Sequence, residues 1–248
     1  MDIFELEKKL NEFLNSDNFQ DDSLNGLQVE GKREIKKIAT GVSASVSLFD
    51  KSIKEECDVI VVHHGIFWKG MDLKVFSSLK ERLKKLLTNE ISLFAYHLPL
   101  DAHPEIGNNA QIGKKLGFED GIPFGEYKGN TIGFLYNCEI KISELVKKIK
   151  NLFGKPINFI PCKKEIVKKI AIISGGAQKE FLQVIGKEID CFLTGEISEF
   201  VVELAKEINC HFISAGHYRT ERFGIKALTE KLNDWGLEAK FIDLPHIY

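Results

Sequence analysis

Long hydrophobic runs are missing from this 248-residue sequence: stretches such as Val59 to Val62 fall far short of the 18 or so apolar residues that a membrane-crossing helix needs. Cysteine is sparse and unpaired. The five cysteines, Cys57, Cys138, Cys162, Cys191 and Cys210, contain no C-x-x-C spacing, which excludes a disulfide framework and a thiolate zinc site and fits a reducing cytosol. A surplus of either charge is absent too, because 34 basic and 36 acidic residues leave a net charge of -2. That removes the basic excess of a dedicated nucleic-acid binder and leaves only a local basic stripe open. Neither the G-x-G-x-x-G dinucleotide pattern nor a P-loop occurs. The opening segment MDIFELEKKLNEFL places acids before lysines, where an export signal would begin basic and continue apolar. What remains, 44% hydrophobic and 28% charged residues, is the composition of a globular protein.

Apolar residues at 3, 4, 6, 10, 13 and 14 predict a first helix, and SDNFQDDSLNGLQVEG after it reads as turn chemistry. An α/β alternation follows. Strands are expected over 37–42, 59–62 and 92–96, with helices over 45–56, 78–89 and 109–116. The middle, 121–161, holds a strand over 131–137 and a helix over 143–153, after which the βαβ rhythm resumes.

The sequence also repeats itself. Lys36-Lys37-Ile38-Ala39 precedes Asp58 by the 22 residues that separate Lys168-Lys169-Ile170-Ala171 from Asp190, and each copy passes through a small-residue loop, Gly41 to Ala44 or Ser174 to Ala177. Further on, His97 and Asp101 form a His-x-x-x-carboxylate pattern matched by His217 and Glu221. Two related α/β lobes, 1–122 and 123–248, are therefore expected, with pseudo-twofold symmetry across a cleft at the carboxyl ends of their strands.

His63-His64-Gly65 closes an apolar strand. Neighbouring strand residues point to opposite faces, so both imidazoles reach one site only where the strand gives way at Gly65. With Asp101, His217 and Glu221 they make a nitrogen and oxygen donor set suited to two divalent ions, Zn, Fe, Mn or Co. His97 stands open between ligand, orienting residue and acid/base catalyst. Glu196 falls where the other copy carries its histidines and is expected to face the cleft. Arg219 and Arg222 are read equally as surface ion pairs and as a clamp on anionic substrate oxygens. Ser174 to Ala177 reads as a tight turn rather than a phosphate nest. Cys57 and Cys191 belong to the core, and His103, His211 and His246 are left outside the site.

Together, Asn25-Gly26-Leu27-Gln28-Val29, His63-His64-Gly65, His97-Leu98-Pro99-Leu100-Asp101, Asn108-Asn109-Ala110, Thr194-Gly195-Glu196 and Gly216-His217-Tyr218-Arg219-Thr220-Glu221 resemble the Nif-three-like family, whose members are named as type 2 homologues of GTP cyclohydrolase I. The resemblance implies a two-lobed α/β fold, a hexameric ring and a dinuclear site. Its ligands would be His63, His64, Asp101, His217 and a bridging Glu221, with His97 close by. It leads first to a cytoplasmic hydrolase that opens a nucleotide-like heterocycle with a metal-activated water. Its alternative is a regulatory, metal-handling or DNA-binding ring, for which the lysine pairs Lys84-Lys85, Lys114-Lys115, Lys147-Lys148, Lys163-Lys164 and Lys168-Lys169 would supply phosphate contacts.

Overall fold

The computed structural model describes residues 1–154 and 156–244, and His246 lies outside the described residues. In chain order the elements are α1 (Ile3–Leu14), β1 (Gly26–Val29), β2 (Lys37–Ser43), α2 (Val46–Lys54), β3 (Val59–His64), α3 (Ser77–Thr88), β4 (Ser92–Ala95), α4 (Leu98–Ala102) and α5 (Asn108–Leu116). They continue with β5 (Ile122–Tyr127), β6 (Asn130–Lys141), α6 (Ile142–Phe153), β7 (Asn158–Ile160), β8 (Ile166–Ile172), β9 (Cys191–Thr194), α7 (Glu199–Glu207), β10 (His211–Ser214), α8 (His217–Asp234) and β11 (Glu238–Phe241). The first helix shows how local chemistry sets the boundaries. Asp2 accepts from the Phe4 amide to cap its start, Asn15 in the left-handed region ends it, and Ile3, Leu6, Leu10 and Leu14 form its buried stripe.

Two compact α/β units result, one built from residues 1–100 and 225–244, the other from Asp101–Gly224. The first holds a five-stranded sheet ordered β1-β4-β3-β2-β11, parallel except for β1. Its core gathers Leu48, Phe49, Ile60, Val62, Leu86 and Leu93 between the sheet and α2 and α3. The second holds a six-stranded sheet ordered β5-β6-β8-β9-β10-β7, in which β8, β9 and β10 are parallel and the outer strands antiparallel. Here α5 and α6 cover the sheet through Ile112, Leu116, Leu145 and Ile149. No helix among the described residues is long and apolar enough to cross a membrane.

The units do not follow a simple cut of the chain at residue 122. Strand β11 runs parallel to β2, pairing Ala239 with Ile38, so the last strand joins the sheet made by residues 26–95. Three further differences have local causes. Strand β1 forms where turn residues dominate, because Gly26 at φ 99 starts it and Leu27 pairs with Phe94. Strand β6 contains the strand expected over 131–137, but β5 and the three-residue β7 add antiparallel edges that no alternating pattern announced. The segment after Ser174 to Ala177 makes a short 3-10 helix, Glu180–Val184, and not an α-helix.

The duplication is present in hydrogen bonds. Asp58 Oδ2 accepts from the amides of Lys36 and Lys37, and Asp190 Oδ2 from those of Lys168 and Lys169. Each aspartate also pairs with a lysine at the same spacing, Lys32 or Lys164. One carboxylate thereby staples the start of β2 to that of β3, and another the start of β8 to that of β9.

Candidate metal centre

In the first unit, β3 does not give way before its histidines: it runs through His64, pairing that residue with Ser43. His63 is fully buried and His64 half-buried, yet their ring centroids lie 4.6 Å apart. His97, just after β4, brings its ring to 5.1 Å from His63 and 5.5 Å from His64. The three imidazoles offer ligand atoms that all lie within 4.8 Å of one another. Trp68 walls the group, its ring 5.1 Å from His97 and nearly perpendicular to it. The turn beyond His64 is shaped by Gly65, where a Cβ would stand 2.3 Å from the Gln28 amide and 2.6 Å from the Ala95 methyl. Gln28 Oε1 accepts from the amides of Ile66 and Phe67, so the NGLQ stretch holds the exit of the histidine strand.

Each imidazole is oriented through Nδ1. His63 Nδ1 lies 3.0 Å from the Tyr96 carbonyl, His64 Nδ1 3.0 Å from Ser43 Oγ, and His97 Nδ1 2.9 Å from Asp21 Oδ1. A carbonyl and a carboxylate only accept, so His63 and His97 carry their protons at Nδ1. Burial by itself would raise the Asp21 carboxyl. The hydrogen bond from His97, joined by the ring's charge when it is protonated, the Leu98 amide and Asn25 hold it far below the ordinary carboxylate range.

In the second unit, α8 starts with His217 and carries Glu221 one turn later, a spacing that puts both on one helix face. His217 Nε2 lies 3.1 Å from Glu221 Oε2, and its Nδ1 lies 2.6 Å from Glu196 Oε1. Burial would lower the His217 pKa, but Glu221 and then Glu196 outweigh it and push it up to about 9. Asp101, almost buried, accepts at Oδ1 from Asn108 Nδ2 and Ser174 Oγ. Asp101 and Glu221 offer carboxylate oxygens within 4.8 Å of each other. Gly175, at φ 67, lets the backbone pass directly under Glu221.

A family model described as Duf34/NIF3 (NGG1p interacting factor 3) matches residues 1–246. The chain belongs to the DUF34/NIF3 family. It is 42% identical to a protein of Escherichia coli K12 named GTP cyclohydrolase 1 type 2 homolog, with 98% of each chain covered. Among solved structures it is similar to protein ybgI, described as of unknown function, at 40% identity with a TM-score of 0.94 and both chains fully covered. It is also similar to TTHA1606 of Thermus thermophilus, at 35% identity with a TM-score of 0.92 over the whole of both chains.

The donor chemistry of this DUF34/NIF3 chain fits divalent metal. Imidazoles backed at Nδ1, together with buried carboxylates held by amide and hydroxyl donors, form the usual setting of metal ligands. Glu196 sits against His217. Arg219 donates to the Pro156 carbonyl and Arg222 lies against the Phe223 ring, so either would have to leave that partner to clamp a substrate. One lysine of every pair is engaged: Lys85 with Asp50, Lys148 with Glu144, Lys164 with Asp190, Lys169 with Glu188, and Lys115 over Phe223. His103 accepts from the Glu105 and Ile106 amides in its loop, and His211 bridges the Cys162 amide and the Lys164 carbonyl. Sequence reasoning missed Asp21, Asn108, Asn109 and Ser174. Asn108-Asn109 stood inside a quoted motif, whereas Asp21 was hidden among turn residues.

Proposed function

We propose that the protein is a divalent-metal-dependent hydrolase acting on a nucleotide or related heterocycle. Two ions per chain, drawn from Zn, Fe, Mn or Co, would be held by His63, His64, Asp101, His217 and Glu221. The observation that carries this reading is the nitrogen and oxygen donor set, in which His63, His97 and His217 each present Nδ1 to an oxygen acceptor. The name of the Escherichia coli relative, GTP cyclohydrolase 1 type 2 homolog, supports the substrate class.

When bound, such ions supply a water of lowered pKa and stabilise developing negative charge. The chain's own residues do the rest. His97 presents Nε2 as a proton acceptor, Glu196 orients His217, and Asn108 and Ser174 fix the Asp101 carboxylate. Trp68 keeps water from one side of the imidazoles.

Elemental analysis of wild type and His64→Ala, followed by turnover of GTP and simple phosphoesters on the same samples, tests the reading. About two ions per wild-type chain, fewer in the variant, and formate or ring-opened product lost with the metal support it. Wild type that holds no metal after anaerobic, chelator-free purification overturns it. Metal without turnover of any substrate selects a metal-handling or regulatory role. The same proposal puts the chain in a cytosolic homohexamer, which light scattering tests. A DNA-binding ring would require a gel shift that weakens with rising salt.

A further inference from the structure

We propose that Asp21 is a positioning residue: together with Asn25 it grips His97 and locks it as the Nδ1-protonated tautomer beside His63 and His64. The inference rests on the hydrolase reading above. It begins with an acid that the local sequence marks only as a turn.

Asp21 is 2% exposed, and both of its oxygens are occupied. Oδ1 accepts from the Ser23 amide and His97 Nδ1, while Oδ2 accepts from Asn25 Nδ2 and the Leu98 amide. Such a burial would be costly for a carboxylate without partners, and here four donors converge on it. Asn25 completes the clamp, because its Oδ1 accepts from the His97 amide at 2.8 Å. The backbone and ring of His97 are thus both gripped by the segment between α1 and β1, 72 and 76 residues away in sequence. A His that only packed against Trp68 would need no buried anion. With Nδ1 committed to Asp21, Nε2 is the ring nitrogen left for the imidazole cluster.

Nitrogen-15 NMR of the imidazoles in metal-free protein reads the tautomer directly, with His97→Gln assigning the signal. Wild type should show His97 protonated at Nδ1, and Asp21→Asn, which removes the anion that holds that proton, should raise the share of the Nε2-protonated form that free imidazole side chains favour. In metal-loaded protein, Asp21→Asn should keep its metal while kcat falls about 10- to 100-fold, with KM within about twofold. Asp22→Asn is the control and should match wild type. An Nε2-protonated His97 in wild type, or Asp21→Asn with unaltered tautomer and turnover, overturns the inference. So does loss of metal in step with activity, which would make His97 a ligand. Should Asp21→Asn fail to fold, Asn25→Ala removes the backbone grip and keeps the carboxylate; the proposal then requires an unchanged tautomer and a smaller kcat loss, and an Nε2-protonated His97 refutes it. Wild type with no turnover sinks the hydrolase reading alone, because the tautomer is read without activity.

Discussion

A single methyl group at Gly175 should disturb the second unit's donors without touching any of them chemically. A Cβ built there would lie 2.1 Å from Glu221 Oε1 and 3.3 Å from His217 Nε2, and the backbone sits at φ 67. Two costs combine. The left-handed backbone disfavours alanine by about 1–2 kcal/mol, and forcing the buried Glu221 carboxylate aside adds about 1–3 kcal/mol of overpacking. Gly175→Ala should therefore lose about 2–5 kcal/mol, a Tm decrease of roughly 4–20 °C for a chain of this size. Two neighbours separate the terms. Gly186, at φ 74 with nothing within 4 Å of its Cβ, carries the backbone cost alone, so Gly186→Ala should lose about 1–2 kcal/mol and keep its metal. Gly176 meets Glu196 and His217 only at 3.5 Å, and Gly176→Ala should stay within about 0.5 kcal/mol of wild type. Thermal unfolding and metal content of the three purified variants make the assay. If Gly175→Ala matches Gly186→Ala in both, the backbone does not pass under Glu221 as the structure has it and the argument fails.

Asn109→Ala should destabilise by about 2–4 kcal/mol in urea titration, because it strands the Ser174 amide and the Ile132 carbonyl, both buried partners of that side chain. Gln28→Ala should cost about 1–3 kcal/mol by the same method and loosen the exit of β3, since it frees the amides of Ile66 and Phe67. For Asp190, burial raises the carboxyl, but Lys164 and the amides of Lys168 and Lys169 together hold it below its ordinary value. A depressed carboxyl adds stability that is complete above the unfolded value near 4 and fades as pH falls through the folded value. Asp190→Asn should thus lie about 1–3 kcal/mol below wild type at pH 7 and approach it near pH 2; an equal gap at both pH values would refute the staple.

The architecture was legible wherever burial imposed a period. The α1 stripe, the apolar β3 and the helix before Gly154 all appear where their patterns place them, because one face of each packs on a core. Short edge strands carry no such imprint. Strand β7 has three residues and owes its place to the partner strand β10, and β5 contains Pro123 and Gly125, which argue locally against a strand. The donors were legible for a different reason, since histidines and acids at strand ends are rare enough to stand out. Their supports were not. Asp21 reaches His97 across 76 residues and Ser174 reaches Asp101 across 73, and nothing in the local sequence encodes partners so distant.

The duplication itself proves less symmetric than its motifs suggest. Ladder register sets Val59 beside Ser92 in one copy and Cys191 beside His211 in the other, with Tyr96 and Ala215 donating to the equivalent carbonyls of Val62 and Thr194. Counting from there, His97 corresponds to Gly216 and His217 to Leu98. The two His-x-x-x-carboxylate patterns are one residue out of step, so they are not copies of one device. The offset has a structural consequence: His217 opens helix α8 and faces its own Glu221, whereas His97 precedes α4 and turns to Asp21. The true equivalents are His64, the last residue of β3, and Glu196, two residues beyond the end of β9, in each case the strand after a stapling aspartate. One copy thus kept imidazoles at its strand end and the other a carboxylate, a division of donor types that gives two similar folds complementary chemistry.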